Sequence, residues 1–192
     1  MDNRSSLGSS RNHRPMPWAW PVLAWLVAYF GATLMLARTL AETIDQGGPF
    51  VSVLALLSSL VAVPLMLGVA AACVPAIQLS LRFFGEAASV ASIRASVASA
   101  FWGLAVQPVG TIFLAIADPE RLRAVFAASS PDPAISVLLV VSSTLGLSLI
   151  AWNLRRAGCS PLVAGVVGIG APISVTSVFV LVGSLITALW PG

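Results

Sequence analysis

From Phe50 to Leu81 the chain carries no charged side chain. A run of that kind constrains the fold more than any motif, because a bilayer core of about 30 Å takes roughly 20 apolar helical residues to cross. The span inside it is placed at 54–80. Four further stretches qualify: 18–37, between Arg14 and Arg38; 95–117, between Arg94 and Asp118; 134–154, between Asp132 and Arg155; and 162–190. Backbone polar groups in hydrocarbon must be satisfied within the protein, which leaves helices or a closed barrel. Nothing in these stretches alternates with period two, so helices are the reading. The fold class is all-α integral membrane, a bundle of five transmembrane helices. Charged residues make up 9% of the 192, against about 25% in a soluble domain. Residues 1–16 are read as a flexible cytoplasmic tail, and 17–192 as a single membrane domain.

The first span has the basic front of a secretory signal. Its apolar stretch is longer than a signal's roughly 7–15 residues, and no small-x-small site follows in LMLARTLAETID, so it is read as a span. Orientation comes from the arginines, which number ten with no lysine. Arg4, Arg11, Arg14, Arg82, Arg94, Arg155 and Arg156 share one side; Arg38, Arg121 and Arg123 lie on the other. The positive-inside bias places the N-terminus in the cytoplasm and the C-terminus outside. The acids Glu42, Asp45, Asp118, Glu120 and Asp132 fall outside. Trp18, Trp20, Trp25 and Trp152 lie toward the inner interface and Trp190 toward the outer one. Residues 38–49 form an outer loop closed by Gly47, Gly48 and Pro49. A second outer loop covers 118–133, where Asp118 caps a short amphipathic helix that Pro119 begins. The arginines form no single patch, so nucleic acid is not a partner.

The stretch LRFFGEAASVASIRASVASAFW (81–102) sits between two spans. On a helix, Ser89, Ser92, Ser96, Ser99 and Gly103 share a face, and Phe83, Val90, Ile93, Val97 and Phe101 form the next. The serine stripe is either a polar surface for a headgroup or partner, or a small-residue seam for a neighbouring helix; the seam is preferred. The segment reads as a cytoplasmic turn-back: Phe83 and Phe84 rest at the interface, Gly85 breaks the helix, and Arg82 and Arg94 snorkel at the two shoulders. The pairs Ser92/Ser96, Gly68/Ala72 and Ala164/Gly168 are the expected helix contacts.

An aromatic–glycine turn (FFGEAASV, 83–90), a proline-broken span after it (Pro108 in GLAVQPVG) and the basic connection NLRRAGCSPLVAG resemble the Yip1 family of five-span membrane proteins. The resemblance covers about Leu54 to Gly170. It implies a membrane-shaping or trafficking role exercised through protein partners.

No Asp, Glu, His, Lys or Arg lies in the middle of any span. Such groups mark proton relays, ion paths and charged-substrate sites, so a proton-coupled pump is excluded. The only histidine, His13, is in the tail, which removes haem ligation within the bilayer and a Ser–His dyad. The Gly146–Ser148 tripeptide GLS has no base to activate its serine. No carboxylates cluster for metal-assisted chemistry, and Cys73 and Cys159 are read as packing residues without a disulfide or metal. The expectation is a non-enzyme without cofactor. The neutral polar side chains in the spans include Gln78, Gln107, Thr111, Ser142, Ser143, Thr144, Asn153, Ser174, Thr176 and Ser177. Gln107 precedes Pro108, which leaves a carbonyl open a turn earlier; its amide either fills that gap or faces a neutral solute. Prolines 64, 108 and 172 fall mid-span, the last amid Gly165, Gly168 and Gly170, and no inverted repeat relates the halves. The preferred reading is a non-catalytic organiser, assembly factor or accessory subunit of a bacterial cytoplasmic membrane. It contacts the bilayer and a membrane-protein partner or further copies of itself. The alternative is a channel or carrier for an uncharged solute or lipid, lined by Gln107, Thr111, Ser143 and Ser174, with Pro108 and Pro172 interrupting its helices.

Overall fold

In a backbone that closes its own hydrogen bonds, only glycine, proline and capping side chains can set the helix ends, and they do so here. The structure, a computed structural model, describes residues 18–43, 48–121 and 132–189. The tail with His13, residues 122–131 of the second outer loop, Gly47 and Trp190 lie outside the described residues. Among the described residues six helices are bounded at both ends: α1 (Ala19–Thr43), α2 (Gly48–Phe83), α3 (Val90–Leu104), α4 (Val106–Ala117), α5 (Pro133–Arg156) and α6 (Pro161–Leu189). With α3 and α4 joined as one crossing, five helices are long and apolar enough to span a membrane.

Several boundaries differ from expectation. Helix α1 continues through Arg38 to Thr43, and Gly48 and Pro49 open α2 instead of closing the loop before it. At about 1.5 Å per residue, the 36 residues of α2 reach well beyond a bilayer core, and the helix runs unbroken past Pro64 and Pro75. Helix α3 starts at Val90, not Ala95, because Ser89 caps it by accepting a hydrogen bond from the Ser92 N–H at 3.1 Å. Arg94 is therefore inside the helix. The third span breaks at Ala105, three residues before Pro108, whose ring cannot accommodate the carbonyl of Leu104.

The expected turn at Gly85 is present as a Schellman motif. Gly85 has φ +71°, the Glu86 N–H donates to the Leu81 carbonyl at 2.9 Å, and the Gly85 N–H donates to Arg82 at 3.0 Å. The end of α5 repeats it. Gly158 has φ +103°, Cys159 N–H donates to Leu154 at 3.2 Å and Gly158 N–H to Arg155 at 3.1 Å. The sequences leading into the two turns share one pattern, Ile-x-x-x-Leu-Arg-x-x-Gly: Ile77, Leu81, Arg82 and Gly85 correspond to Ile150, Leu154, Arg155 and Gly158. The correspondence extends to burial. Ile77, Leu81, Ile150 and Leu154 are all buried, as are Cys73 and its counterpart Gly146. After the turns, counted from Ser89 and Ser160, Ile93, Ser96, Val97 and Ala100 match the buried Ala164, Val167, Gly168 and Ala171. The hairpins α2–α3 and α5–α6 are thus parallel repeats. Their mutual packing obeys the same exchange: α3 lies on α5 and α6 on α2, while α1 covers α2, α3 and α4.

The main core lies where these two hairpins meet, at the end that carries both turns: Cys73, Ile77 and Leu81 from α2, Ile93, Val97 and Ala100 from α3, Ile150 and Leu154 from α5, and Val163, Ala164, Val167 and Ala171 from α6. Cys73 and Cys159 are both free and buried within it. The repeat fails toward the far end. Gly103 and Gly146 let α3 and α5 stay in contact, since a Cβ on Gly103 would fall 2.6 Å from the Gly146 Cα. Beyond Ala171 and Pro172, by contrast, α6 is exposed on almost every face. Trp25 is held inside the bundle. It is 3% exposed and packs on Tyr29 and Phe101 at centroid distances of 5.3 and 5.2 Å.

The seams separate in the same way. The Ser92/Ser96 stripe belongs to α3's packing face, with Ser96 buried, and Gly168 meets the Ala151 backbone, where a Cβ would lie 2.8 Å from the Ala151 Cα. Gly68 has nothing within 4 Å of its would-be Cβ and makes no seam with a described residue. Gly103→Leu should therefore lower stability by about 3 kcal/mol or more, at or above the upper end of the overpacking range, while Gly68→Leu should shift it by no more than about 0.5 kcal/mol. Unfolding of the two variants in mild detergent by an SDS titration checks the contrast.

Candidate functional site

The candidate polar site begins at the break in the third span. Pro108 is buried and has no N–H to offer Leu104. The expected filler, the Gln107 amide, makes no hydrogen bond to any described residue. A serine from the neighbouring helix bonds the carbonyl one residue before that of Leu104: Ser142 Oγ of α5, itself buried, donates to Gly103 at 3.0 Å and not to Leu104. Gly103 can receive it because Gly146, one turn along α5 from Ser142, brings the two backbones together. The signal for this pair lay in the sequence as Ser142 and Gly146 at an i, i+4 spacing on one helix face.

The other neutral residues turn back on their own helices. Thr111 is buried and its Oγ1 donates to the Gln107 carbonyl at 2.9 Å. Ser174 is exposed and bonds the Gly170 carbonyl at 2.9 Å; Thr176 bonds that of the buried Pro172 at 2.9 Å. Thr144 does the same to Val140 at 2.8 Å, and Ser143 is half-buried. Gln107 and Thr111 stand on α4, Ser143 on α5 and Ser174 on the unpacked part of α6, and α4 and α6 do not pack together. The four side chains expected to line one path are therefore not brought together. A shallow open groove of about 420 Å³ lies elsewhere, at the far end between α4 and α5, lined by Leu114, Arg121, Pro133, Ala134, Val137 and Leu138.

On α3 the serine stripe forms a chain of bonds. Ser89 and Ser92 hydroxyls are 2.8 Å apart, Ser96 donates to the Ser92 carbonyl at 2.8 Å, and Ser99 donates to the Ser96 carbonyl at 2.6 Å. Asn153 on α5 closes it, its Nδ2 donating to Ser99 Oγ at 2.8 Å and to the Leu149 carbonyl at 3.0 Å. The stripe is a helix seam with an interhelical amide at one end.

Charge is confined to the two ends. At the far end Asp132 caps α5, its Oδ1 accepting from the Ala134 N–H at 2.6 Å, and holds Arg121 through two bonds of 3.0 and 3.2 Å. Asp118 accepts from the Arg121 N–H at 3.0 Å, as expected of a cap. The Arg121 guanidinium holds the Asp132 carboxyl below its ordinary range. At the other end Glu86 bridges the two turns: both carboxylate oxygens lie 3.2 Å from the Ser160 N at the start of α6. Bonds to Ser160 and Cys159 hold Glu86 below the usual range, and burial with the nearby carboxylate raises the Cys159 thiol. A carboxylate at a helix start is also favoured by the helix dipole. The basic turn residues Arg82, Phe83, Phe84, Gly85 and Arg94 are all exposed, with Phe83 at 86%. Among the described residues no three His, Cys, Asp or Glu side chains gather as a metal site would require.

Comparison with protein-family models, curated proteins and solved structures finds no match to this chain.

Two measurements follow from these bonds. Ser142→Ala should cost about 1 kcal/mol, at the upper side of interhelical bonds in membranes because the bond lies between buried groups. Glu86 and Asp132 are both held below their unfolded values, so the stability they give is full above those values. It is lost as pH falls through the carboxylate range, near about 4. The thermal midpoint in detergent should stay level from about pH 7 to 5 and drop below about pH 4, and Glu86→Gln with Asp132→Asn should flatten that drop.

Proposed function

We propose that this chain is a non-catalytic multi-pass membrane protein that organises others, as an assembly factor or accessory subunit of a membrane complex. A role through protein partners is also what the Yip1 resemblance implies, and the arginine distribution fits an N-terminus in the cytoplasm. The observation that carries the reading is the fate of the span polar groups. Thr111, Thr144, Ser174 and Thr176 are engaged with carbonyls of their own helices, and Ser142 and Asn153 join α5 to α3. The first four satisfy their own helices and the last two bind helices together, and groups so engaged offer little to a passing solute. The ionisable side chains stand at the ends, away from the depth where coupling chemistry needs them.

One observation favours the rival reading of a carrier for a neutral solute. The Gln107 amide, half-buried beside the break in the third span, makes no hydrogen bond to a described residue. The two readings part on water. In a background of Cys73→Ala and Cys159→Ala, Gln107→Cys in an organiser should stay unreactive toward a membrane-impermeant maleimide in intact vesicles. Labelling at a rate comparable to an exposed loop cysteine would establish a wet path at mid-depth and overturn the proposal.

A further inference from the structure

We infer that the end of the bundle carrying the two turns is a binding surface for anionic phospholipid headgroups, built on the repeated arginines Arg82 and Arg155. The repeat supplies the first reason. A Schellman turn needs its glycine and an apolar contact behind it, and Gly85 with Leu81, and Gly158 with Leu154, meet that need in both hairpins. The pattern also carries an arginine at the same place twice, each following a buried leucine and each exposed. Neither guanidinium is used by the fold: among the described residues Arg82, Arg94 and Arg155 have no ion-pair or hydrogen-bond partner.

The second reason is local charge. Arg82 ends α2, Arg94 lies near the start of α3, and Arg155 and Arg156 end α5, on helices that share one core at this end. A cation in a last helical turn is favoured by the helix dipole, which accounts for Arg82, Arg155 and Arg156; Arg94, at the opposite pole of its helix, gains nothing from it. Glu86, the acid described at this end, has its carboxylate committed to the start of α6. Among the described residues four guanidiniums therefore stand without a carboxylate, each with the planar fork that fits a phosphate.

The aromatic residues decide the source of that phosphate. Phe83 and Phe84 form an exposed edge-to-face pair 5.5 Å apart, and Arg156 lies 5.3 Å over the half-exposed ring of Trp152. Aromatic rings beside cations at a helix end sit at the headgroup boundary, where a phosphate arrives on an acyl chain. The ligand is an amphiphile and not a free anion.

The test uses the full chain reconstituted in vesicles of phosphatidylcholine with phosphatidylglycerol, released into detergent, with retained lipids counted by native mass spectrometry. The wild type should keep phosphatidylglycerol well above its share of the vesicle. Arg82→Gln with Arg155→Gln should reduce that enrichment about tenfold, since each arginine near an anionic surface contributes severalfold. Each single variant, with three of the four guanidiniums left to maintain orientation, should give an intermediate loss and keeps the test open should the pair fail to insert. A wild type retaining lipids in their vesicle ratio, or variants with undiminished enrichment, would overturn the inference. So would displacement of the lipid by millimolar glycerol phosphate, which would assign the surface to a soluble phosphate.

Discussion

A peptide group surrounded by hydrocarbon has no water to turn to, and nearly every feature of this bundle answers that condition. It makes the apolar stretches helices and sends the threonine and serine hydroxyls back to carbonyls one turn earlier. It also explains why both turns at the basic end close the last carbonyls of their helices with Schellman bonds. Next to the carbonyl that Pro108 leaves without a donor, that of Gly103 is bonded from the adjacent helix by Ser142. That bond exists only because two glycines allow α3 and α5 to approach, so backbone satisfaction and helix packing are here a single constraint.

The repeat of two hairpins explains where the protein is firm. Leu81 and Leu154, Ile77 and Ile150 fill one core from both hairpins at the end bearing the turns, and Glu86 ties one turn to the start of the next helix. Toward the far end the equivalence lapses. Gly103 on Gly146 holds α3 to α5, whereas the matching part of α6 carries Ser174 and departs from α2. Helix α1 covers only the first hairpin. The molecule is thus a nearly symmetric, close-packed base from which the helices separate unequally.

The spans, the turn at Gly85, the small-residue nature of the serine stripe and the capping by Asp118 were legible because each rests on local chemistry: length in hydrocarbon, positive φ, residue size and a side chain two or three positions from the N–H it caps. Gln107 misled because its place beside Pro108 invited a local pairing, while the group that bonds the nearby Gly103 carbonyl stands thirty-odd residues along the chain. Gly68 and Gly168 look alike as sequence; only the position of α5 makes one a contact and leaves the other bare. Glu86 passed as an isolated acid since its partner, Ser160, lies on another hairpin. The pattern Ile-x-x-x-Leu-Arg-x-x-Gly stands in the sequence twice, as a parallel and not an inverted repeat.

The sequence by itself therefore determined the solvent, the number of crossings and the charge of each end. These follow from transfer free energies that each segment carries wherever it is placed. Tertiary structure alone decided which helices touch, which small residues become seams, which hydroxyl bonds the Gly103 carbonyl, and that four candidate polar residues face different surroundings. Those depend on the rotation and approach of whole helices, set by packing between residues far apart in the chain, and no local propensity encodes them.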